Sequence, residues 1–215
     1  MLELGLKTLL SYLIGALNGS LVLGKAIGGP DVRTVGSGNA GGTNALRARG
    51  KWFALGVMII DVGKGFLCVW LIPGLALALP VAEPAVDPSW LVLSCAGAAV
   101  VGHCYPVWFG FGGGKGAATA VGTLAGLAPA LLLPGLATWL LVVALTGFVG
   151  LATMLAVAVL PLVVLVTGIS GRVELLAFLL GLALFIVYTH RGNIVRMLRR
   201  EENRMTGLMV FRRSR

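Results

Sequence analysis

The chain reads as an all-α membrane protein that crosses the bilayer several times. Three observations predict this class. Apolar residues make up 58% of the sequence and run continuously, without the alternation that a transmembrane β-barrel shows. Charged residues are only 12%, about half the share of a soluble domain, and none occurs between Gly116 and Gly171. The charge is also one-sided. The formal net charge is +9, and eight of the seventeen basic residues follow His190: Arg191, Arg196, Arg199, Arg200, Arg204, Arg212, Arg213 and Arg215. In a membrane protein such a tail reflects the positive-inside rule and attraction to anionic lipid, so nucleic acid is not an expected partner.

The elements follow in order. The first apolar run, roughly 5–27, predicts a retained span, because Glu3 precedes Lys7 and no convincing small-residue cleavage site follows. Further spans are expected at roughly 53–74, 90–106, 117–132, 134–147, 150–168 and 172–190, seven in all. The fourth and fifth are divided only by Pro129 and by Pro134 with Gly135. Several spans are shorter than about 20 residues, which implies tilt or local thinning. Residues 191–200 read as a basic amphipathic helix on the membrane, with Ile194, Met197 and Leu198 toward lipid. Most of the 32 glycines suit close helix packing in lipid. Cys68, Cys95 and Cys104 show no metal-ligand spacing and read as small apolar residues. No repeat or separate soluble domain is evident, so residues 1–215 form one expected domain.

Seven spans place the 28–52 loop, the 107–116 loop and the C-terminal tail on one side. Those segments hold Arg33, Arg47, Arg49, Lys51, Lys115 and the tail arginines. The opposite 75–89 loop holds Glu83 and Asp87 and no Lys or Arg, and the other loop there has only Arg172. The N-terminus is therefore expected outside and the C-terminus inside, with the motif loops sharing the cytoplasmic face.

Two glycine-rich basic loops carry the chemistry. The first runs from Val35 to Arg47. Its Gly36, Gly38 and Gly41 match a dinucleotide fingerprint only formally, since no βαβ unit surrounds them. Its physical content is stronger. Ser37, Asn39, Thr43 and Asn44 supply donors, the glycines let backbone approach an anion, and Arg47 can make a two-pronged phosphate contact. The alternative is a plain interhelical linker. The second loop, Gly110 to Thr119, contains Gly112, Gly113, Gly114, Lys115 and Gly116. It is not a P-loop: Phe109 stands at the first glycine position and Gly116 follows the lysine where Ser or Thr is required. Nucleotide hydrolysis is not supported, but a glycine loop opening a helix aims N–H groups at an anion.

Ionisable groups near the spans extend the candidate set. His103 and His190 end apolar runs, where each is either functional or merely capping a helix. Asn193 lies three residues after His190, on the same helical face. Asp61 and Lys64 are also spaced i, i+3 inside the second span. Either Lys64 faces the site with Asp61 steadying it, or the two form a self-neutralised structural pair. The chain has no His-x4-Asp acyltransferase signature and no Gly-x-Ser-x-Gly elbow.

Taken in order, these segments resemble a known family. Ser-Gly-Asn-x-Gly-x-Thr-Asn-x-x-Arg, then Asp-x-x-Lys-Gly, then Gly-His-x-x-Pro-x-x-x-x-Phe-x-Gly-Gly-Lys-Gly, then His-x-x-Asn-Ile-x-Arg is similar to the bacterial integral-membrane acyl-phosphate:glycerol-3-phosphate acyltransferases. The agreement spans Asp31 to Glu202. Gly42 stands where the family usually has Ala, Asn18 where Pro is common, and Arg200 where Gly is usual.

The resemblance implies seven spans in the bacterial cytoplasmic membrane, a cytoplasmic active site and no metal or cofactor. It implies acyl transfer from acyl phosphate to glycerol-3-phosphate, giving lysophosphatidic acid and phosphate, the first committed step of phospholipid synthesis. Both substrates are anionic, and an enzyme producing acyl phosphate is the implied functional neighbour. Acyl phosphate is already activated, so positioning and charge neutralisation are the main needs. The glycine loop with Lys115 is assigned to glycerol-3-phosphate. Ser37, Asn39, Thr43, Asn44 and Arg47 are assigned to orienting phosphate and polarising the carbonyl. His190 with Asn193 is the candidate base or orienter, with a phosphate oxygen of the donor as the alternative base. Lys64 and His103 join the substrate-binding set. A transporter of organic phosphates would instead distribute polar residues through the spans near the midplane, and a purely structural membrane partner would need neither His190 nor Lys115.

Overall fold

A computed structural model describes residues 1–77, 87–168 and 173–210. Glu83, Arg172, Arg212, Arg213 and Arg215, which entered the charge argument, lie outside the described residues. The described chain is all-helical, with α1 (Leu2–Gly15), α2 (Gly19–Ile27), α3 (Gly42–Trp70), α4 (Pro88–Cys104), α5 (Ala117–Leu127), α6 (Leu132–Thr146), α7 (Val149–Thr167), α8 (Val173–Thr189) and α9 (Arg191–Leu198). Four segments are long and apolar enough to cross a membrane: Gly42–Trp70, Pro88–Phe109, Pro129–Thr146 and Val149–Thr167. The pairs α1–α2 and α8–α9 are bent by 49° and 53°, and counting each as one span raises the number to six. The chain is thus a multi-pass membrane protein. It divides into two compact units, Met1–Leu127 and Ala128–Arg215.

The expected spans at 90–106, 134–147, 150–168 and 172–190 match helices to within a few residues. Three expectations need correction. The first run is not one helix: Asn18 breaks it, its side chain accepting from the N–H groups of Ser20 and Leu21 to cap α2. The second helix begins at Gly42 rather than near residue 53, so Thr43, Asn44 and Arg47 sit on helical turns and not in a loop. Gly50, at φ 81°, kinks α3 there, a conformation that favours glycine. The fourth helix ends at Leu127, because the residue before Pro129 is forced out of helical geometry, with Ala128 at φ −154° and ψ 71°.

In the first unit, reciprocal glycines let helices touch backbone to backbone. A Cβ at Gly65 would lie 2.3 Å from the Thr119 carbonyl oxygen, and one at Gly122 would lie 2.0 Å from that of Val62. These close α3 against α5. Gly15 against Ala99 and Gly102 against Tyr12 do the same for α1 and α4, at 2.3 and 2.2 Å. These crossings set the start of α5 and the end of α4 against the middle of α3, where His103 meets Asp61 and Lys64. In the second unit α7 packs between α6 and α8. There α9 lies across α7 and α8, and the chain after it returns to the α6–α7 turn: the Met205 N–H donates to the Gly147 carbonyl and the Val210 N–H to that of Ala144.

Candidate active site

The Ser37 turn is built by its neighbours. Gly36 and Gly38 both have positive φ, 61° and 70°, which brackets Ser37 in a tight bend. Asn44, on the first turn of α3 and 1% exposed, holds that bend from beneath. Its amide donates to the carbonyls of Val32 and Val35 at 2.8 and 3.0 Å, and its Oδ1 accepts the Ser37 N–H at 3.0 Å. Both amide hydrogens are therefore engaged within the protein. Asn44, expected among the phosphate donors, braces the turn that presents Ser37. The Asn39 amide folds over Gly41, and Thr43 is half-buried beside it on α3. Arg47 projects from the same helix into solvent, and among the described residues no hydrogen bond or ion pair engages its guanidinium.

The glycine loop is anchored on the end of α4. The Gly113 N–H donates to the Cys104 carbonyl and the Gly114 N–H to that of His103, at 3.2 and 3.1 Å. Gly110 and Phe111 both adopt left-handed backbone, at φ 65° and 61°, unusual for the phenylalanine. Gly112 lies against Arg33, and Gly116, at φ 87°, precedes the first turn of α5. Lys115 stands half-buried between them.

The two loops are joined. Arg33 donates through Nη1 to the carbonyls of Phe109 (2.8 Å) and Gly112 (3.1 Å), while Nε and Nη2 grip the Asp31 carboxylate. The Arg33 guanidinium lowers the Asp31 carboxyl pKa below its ordinary value, and its own is raised by the same bond. The Ala40 N–H reaches the Gly113 carbonyl at 3.4 Å, and Asn18 donates to the Ala40 carbonyl at 3.0 Å. Sequence reasoning gave Asp31, Arg33 and Asn18 no part in the site. The Asp-x-Arg spacing, and a buried Asn in an otherwise apolar run, are the available signals.

Lys64 and His103 are brought together beneath this surface. Both are buried, with Asp61 between them: Lys64 Nζ lies 2.8 Å from Asp61 Oδ1 and 3.1 Å from His103 Nδ1. His103 therefore lies inside the helices rather than at an exposed end.

His190 and Asn193 belong to the second unit. His190, 4% exposed, occupies the break between α8 and α9. Its Nδ1 lies 2.8 Å from the Ile186 carbonyl oxygen. A carbonyl only accepts, so Nδ1 donates to it. Asn193, 6% exposed, packs on Gly150 and donates to Glu202 Oε1 at 2.9 Å. The other Glu202 oxygen accepts from Arg196 Nε at 2.7 Å. Glu202 was not among the expected site residues, although an acidic pair inside a strongly basic tail marks it. Cys68, Cys95 and Cys104 are free and buried. Among the described residues, no group of three or more His, Cys, Asp or Glu side chains could hold a metal ion.

A family profile described as glycerol-3-phosphate acyltransferase matches residues 6–200. A glycerol-3-phosphate acyltransferase of Rhodospirillum rubrum is 41% identical over 204 residues, covering 95% of this chain and 92% of its own length. One of Chlorobaculum tepidum is 37% identical over 217 residues, covering 91% and 94%. Among solved structures, PlsY, an integral membrane glycerol 3-phosphate acyltransferase, in its glycerol 3-phosphate form superposes with a TM-score of 0.80 at 32% identity, covering 94% of this chain and 95% of that one. Its lysophosphatidic acid form gives 0.78 at 31% identity.

Proposed function

The chain belongs to the glycerol-3-phosphate acyltransferase family, and we propose that it transfers a fatty acyl group from acyl phosphate to glycerol-3-phosphate, releasing lysophosphatidic acid and phosphate. The observation that carries this reading is the joining of the Ser37 turn to the glycine loop through Arg33. Two loops of the kind that hold phosphate stand edge to edge, which suits a reaction in which donor and acceptor are both phosphorylated.

In this reading the glycine loop and Lys115 hold glycerol-3-phosphate. Ser37 and Arg47 face the acyl phosphate, where the exposed guanidinium offsets charge on the departing phosphate. The acceptor hydroxyl attacks the acyl carbonyl, forming the ester bond. The carbonyl-to-phosphate oxygen bond breaks, and inorganic phosphate leaves. The hydroxyl proton passes to a base, with His190 or a phosphate oxygen of the donor as the candidates and Asn193 as the candidate orienter. Asn39 in the loop and Thr43 on α3 complete the polar lining of the Ser37 turn.

Seven crossings with the N-terminus outside and the C-terminus inside remain our reading of the topology, in the bacterial cytoplasmic membrane. Two contacts, one within each unit, fit this reading. Arg33 ties the segment before α3 to the segment after α4, and the tail ties to the α6–α7 turn. α5, at 11 residues, is about 16 Å long and would be the short member. The acyl phosphate would come from a separate enzyme that forms this mixed anhydride.

The test is reconstitution. Purified protein with acyl phosphate and radiolabelled glycerol-3-phosphate should yield labelled lysophosphatidic acid and equimolar phosphate. Product formed from acyl-CoA but not from acyl phosphate would overturn the donor assignment, and no product from either would overturn the activity. A reporter after Arg215 should be cytoplasmic and one near Glu83 external; the reverse would overturn the topology.

A further inference from the structure

We propose that His103, held by the buried Asp61–Lys64 pair, is a positioning residue for the glycine loop: its Nε2 edge fills the place of a side chain at residue 114. This rests on the reading that assigns the loop to glycerol-3-phosphate. His103 then acts through the loop and touches no substrate.

The geometry begins with Asp61. Its Oδ1 accepts the Gly19 N–H at 2.9 Å and lies 2.8 Å from Lys64 Nζ and 3.2 Å from His103 Nδ1. Lys64 Nζ has three partners within reach: Asp61 Oδ1, the Leu17 carbonyl at 3.2 Å and His103 Nδ1 at 3.1 Å. Nδ1 faces both the Lys64 ammonium and the Asp61 carboxylate, so with either tautomer the ring is held by its Nδ1 edge and its Nε2 edge meets the loop. Asp61, Lys64 and His103 are 0%, 5% and 2% exposed. A buried ion pair is a poor source of stability against a hydrophobic alternative. What this one does supply is a single orientation for the imidazole.

The loop is shaped to that ring. A Cβ at Gly114 would lie 2.0 Å from His103 Nε2 and 2.9 Å from both Cδ2 and Cε1. A Cβ at Gly113 would instead lie 2.2 Å from the His103 carbonyl oxygen, 2.6 Å from Pro106 Cδ and 2.8 Å from the Cys104 carbonyl oxygen, so its closest conflict is with backbone. Neither glycine has a positive φ, so the requirement at both is space and not backbone conformation. The two positions fail for different reasons: Gly114 yields to the imidazole, and Gly113 to the end of α4 itself. Only the first conflict can be relieved by changing a side chain.

The experiment compares Gly114→Ala, Gly113→Ala and His103→Asn with the two double variants in the full-length protein. Asparagine keeps a polar atom near Nδ1 for Asp61 and Lys64 and removes the Nε2 edge. Gly114→Ala should raise KM for glycerol-3-phosphate about tenfold or more, with kcat and the acyl phosphate KM within about threefold of wild type. His103→Asn in the Gly114→Ala background should bring that KM back to within about threefold of His103→Asn alone, and should raise the thermal unfolding midpoint of the solubilised protein. His103→Asn should not rescue Gly113→Ala by either measure. A double variant with Gly114→Ala that keeps the raised KM, or that unfolds at or below the midpoint of Gly114→Ala, overturns the proposal; so does equal rescue at Gly113. Wild-type protein inactive toward glycerol-3-phosphate would sink the functional reading instead, and the unfolding midpoints would still decide whether ring and loop are coupled.

Discussion

Replacing Asn44 tests whether the Ser37 turn is held in place by the protein rather than by its ligand. Asn44 makes three hydrogen bonds to main chain, to Val32, Val35 and Ser37, between 2.8 and 3.0 Å. At about 1 kcal/mol net for each, Asn44→Ala should cost about 3 kcal/mol, concentrated at the buried Val32 carbonyl. If the ordered turn is the active one, that bounds the loss in kcat/KM at about 100-fold. Asn44→Asp is the sharper probe. It is nearly isosteric and keeps the acceptor for Ser37, but it removes both donors and sets a carboxylate oxygen against two carbonyls. It should be at least as damaging as alanine, in both the thermal unfolding of the detergent-solubilised protein and the initial rate of lysophosphatidic acid formation. Gly36→Ala should behave alike, since a Cβ there would lie 2.4 Å from Asn44 Oδ1 and would also be strained at φ 61°. If Asn44→Asp unfolds like wild type and turns over at the wild-type rate, the bracing role is wrong.

Three further outcomes are expected. Arg33→Met removes the side-chain link between the two loops and should raise the glycerol-3-phosphate KM about thirtyfold, from two lost bonds of about 1 kcal/mol each. Because the Asp31 pKa is lowered by Arg33, this anchor is fully present above about pH 4 and is lost only as pH falls through the lowered value; saturation kinetics at neutral and alkaline pH should therefore show no titration of KM from this pair. Gly122→Val should abolish folded protein, judged by monodisperse yield in detergent, because its side chain would enter the Val62 backbone. Gly63→Ala, with nothing within 4 Å of the new methyl, should be neutral in the same measurement. Glu202→Ala removes one partner from the Asn193 amide and one from Arg196 and should lower kcat about tenfold or more, with Glu202→Gln retaining more, since the glutamine oxygen still accepts; equal rates for the two variants would argue against the Asn193 contact.

Much of the architecture is written in the chain as one-dimensional information. A run of apolar residues must bury or satisfy its own backbone in lipid, so helices at 90–106, 134–147, 150–168 and 172–190 follow from composition alone, and the observed bounds lie close. The polar residues that could bind phosphate were also legible, because Ser, Asn, Lys and Arg in glycine-rich segments stand out against that background. What the sequence could not specify is which of those polar groups meet the protein and which face solvent. Asn44 and Arg47 are three residues apart on α3, yet one is buried with its donors on carbonyls and the other projects outward. The difference arises because the chain from Val32 to Ser37 folds back over only one side of that helix. His103 likewise lies 39 and 42 residues along the chain from Lys64 and Asp61. Their convergence depends on α1, α3, α4 and α5 closing on glycines, a packing event with no local signature. Hydrophobic content and charge asymmetry are properties of segments and survive in the sequence. The partner of a buried donor is a property of contacts between segments, and only the tertiary structure decides it.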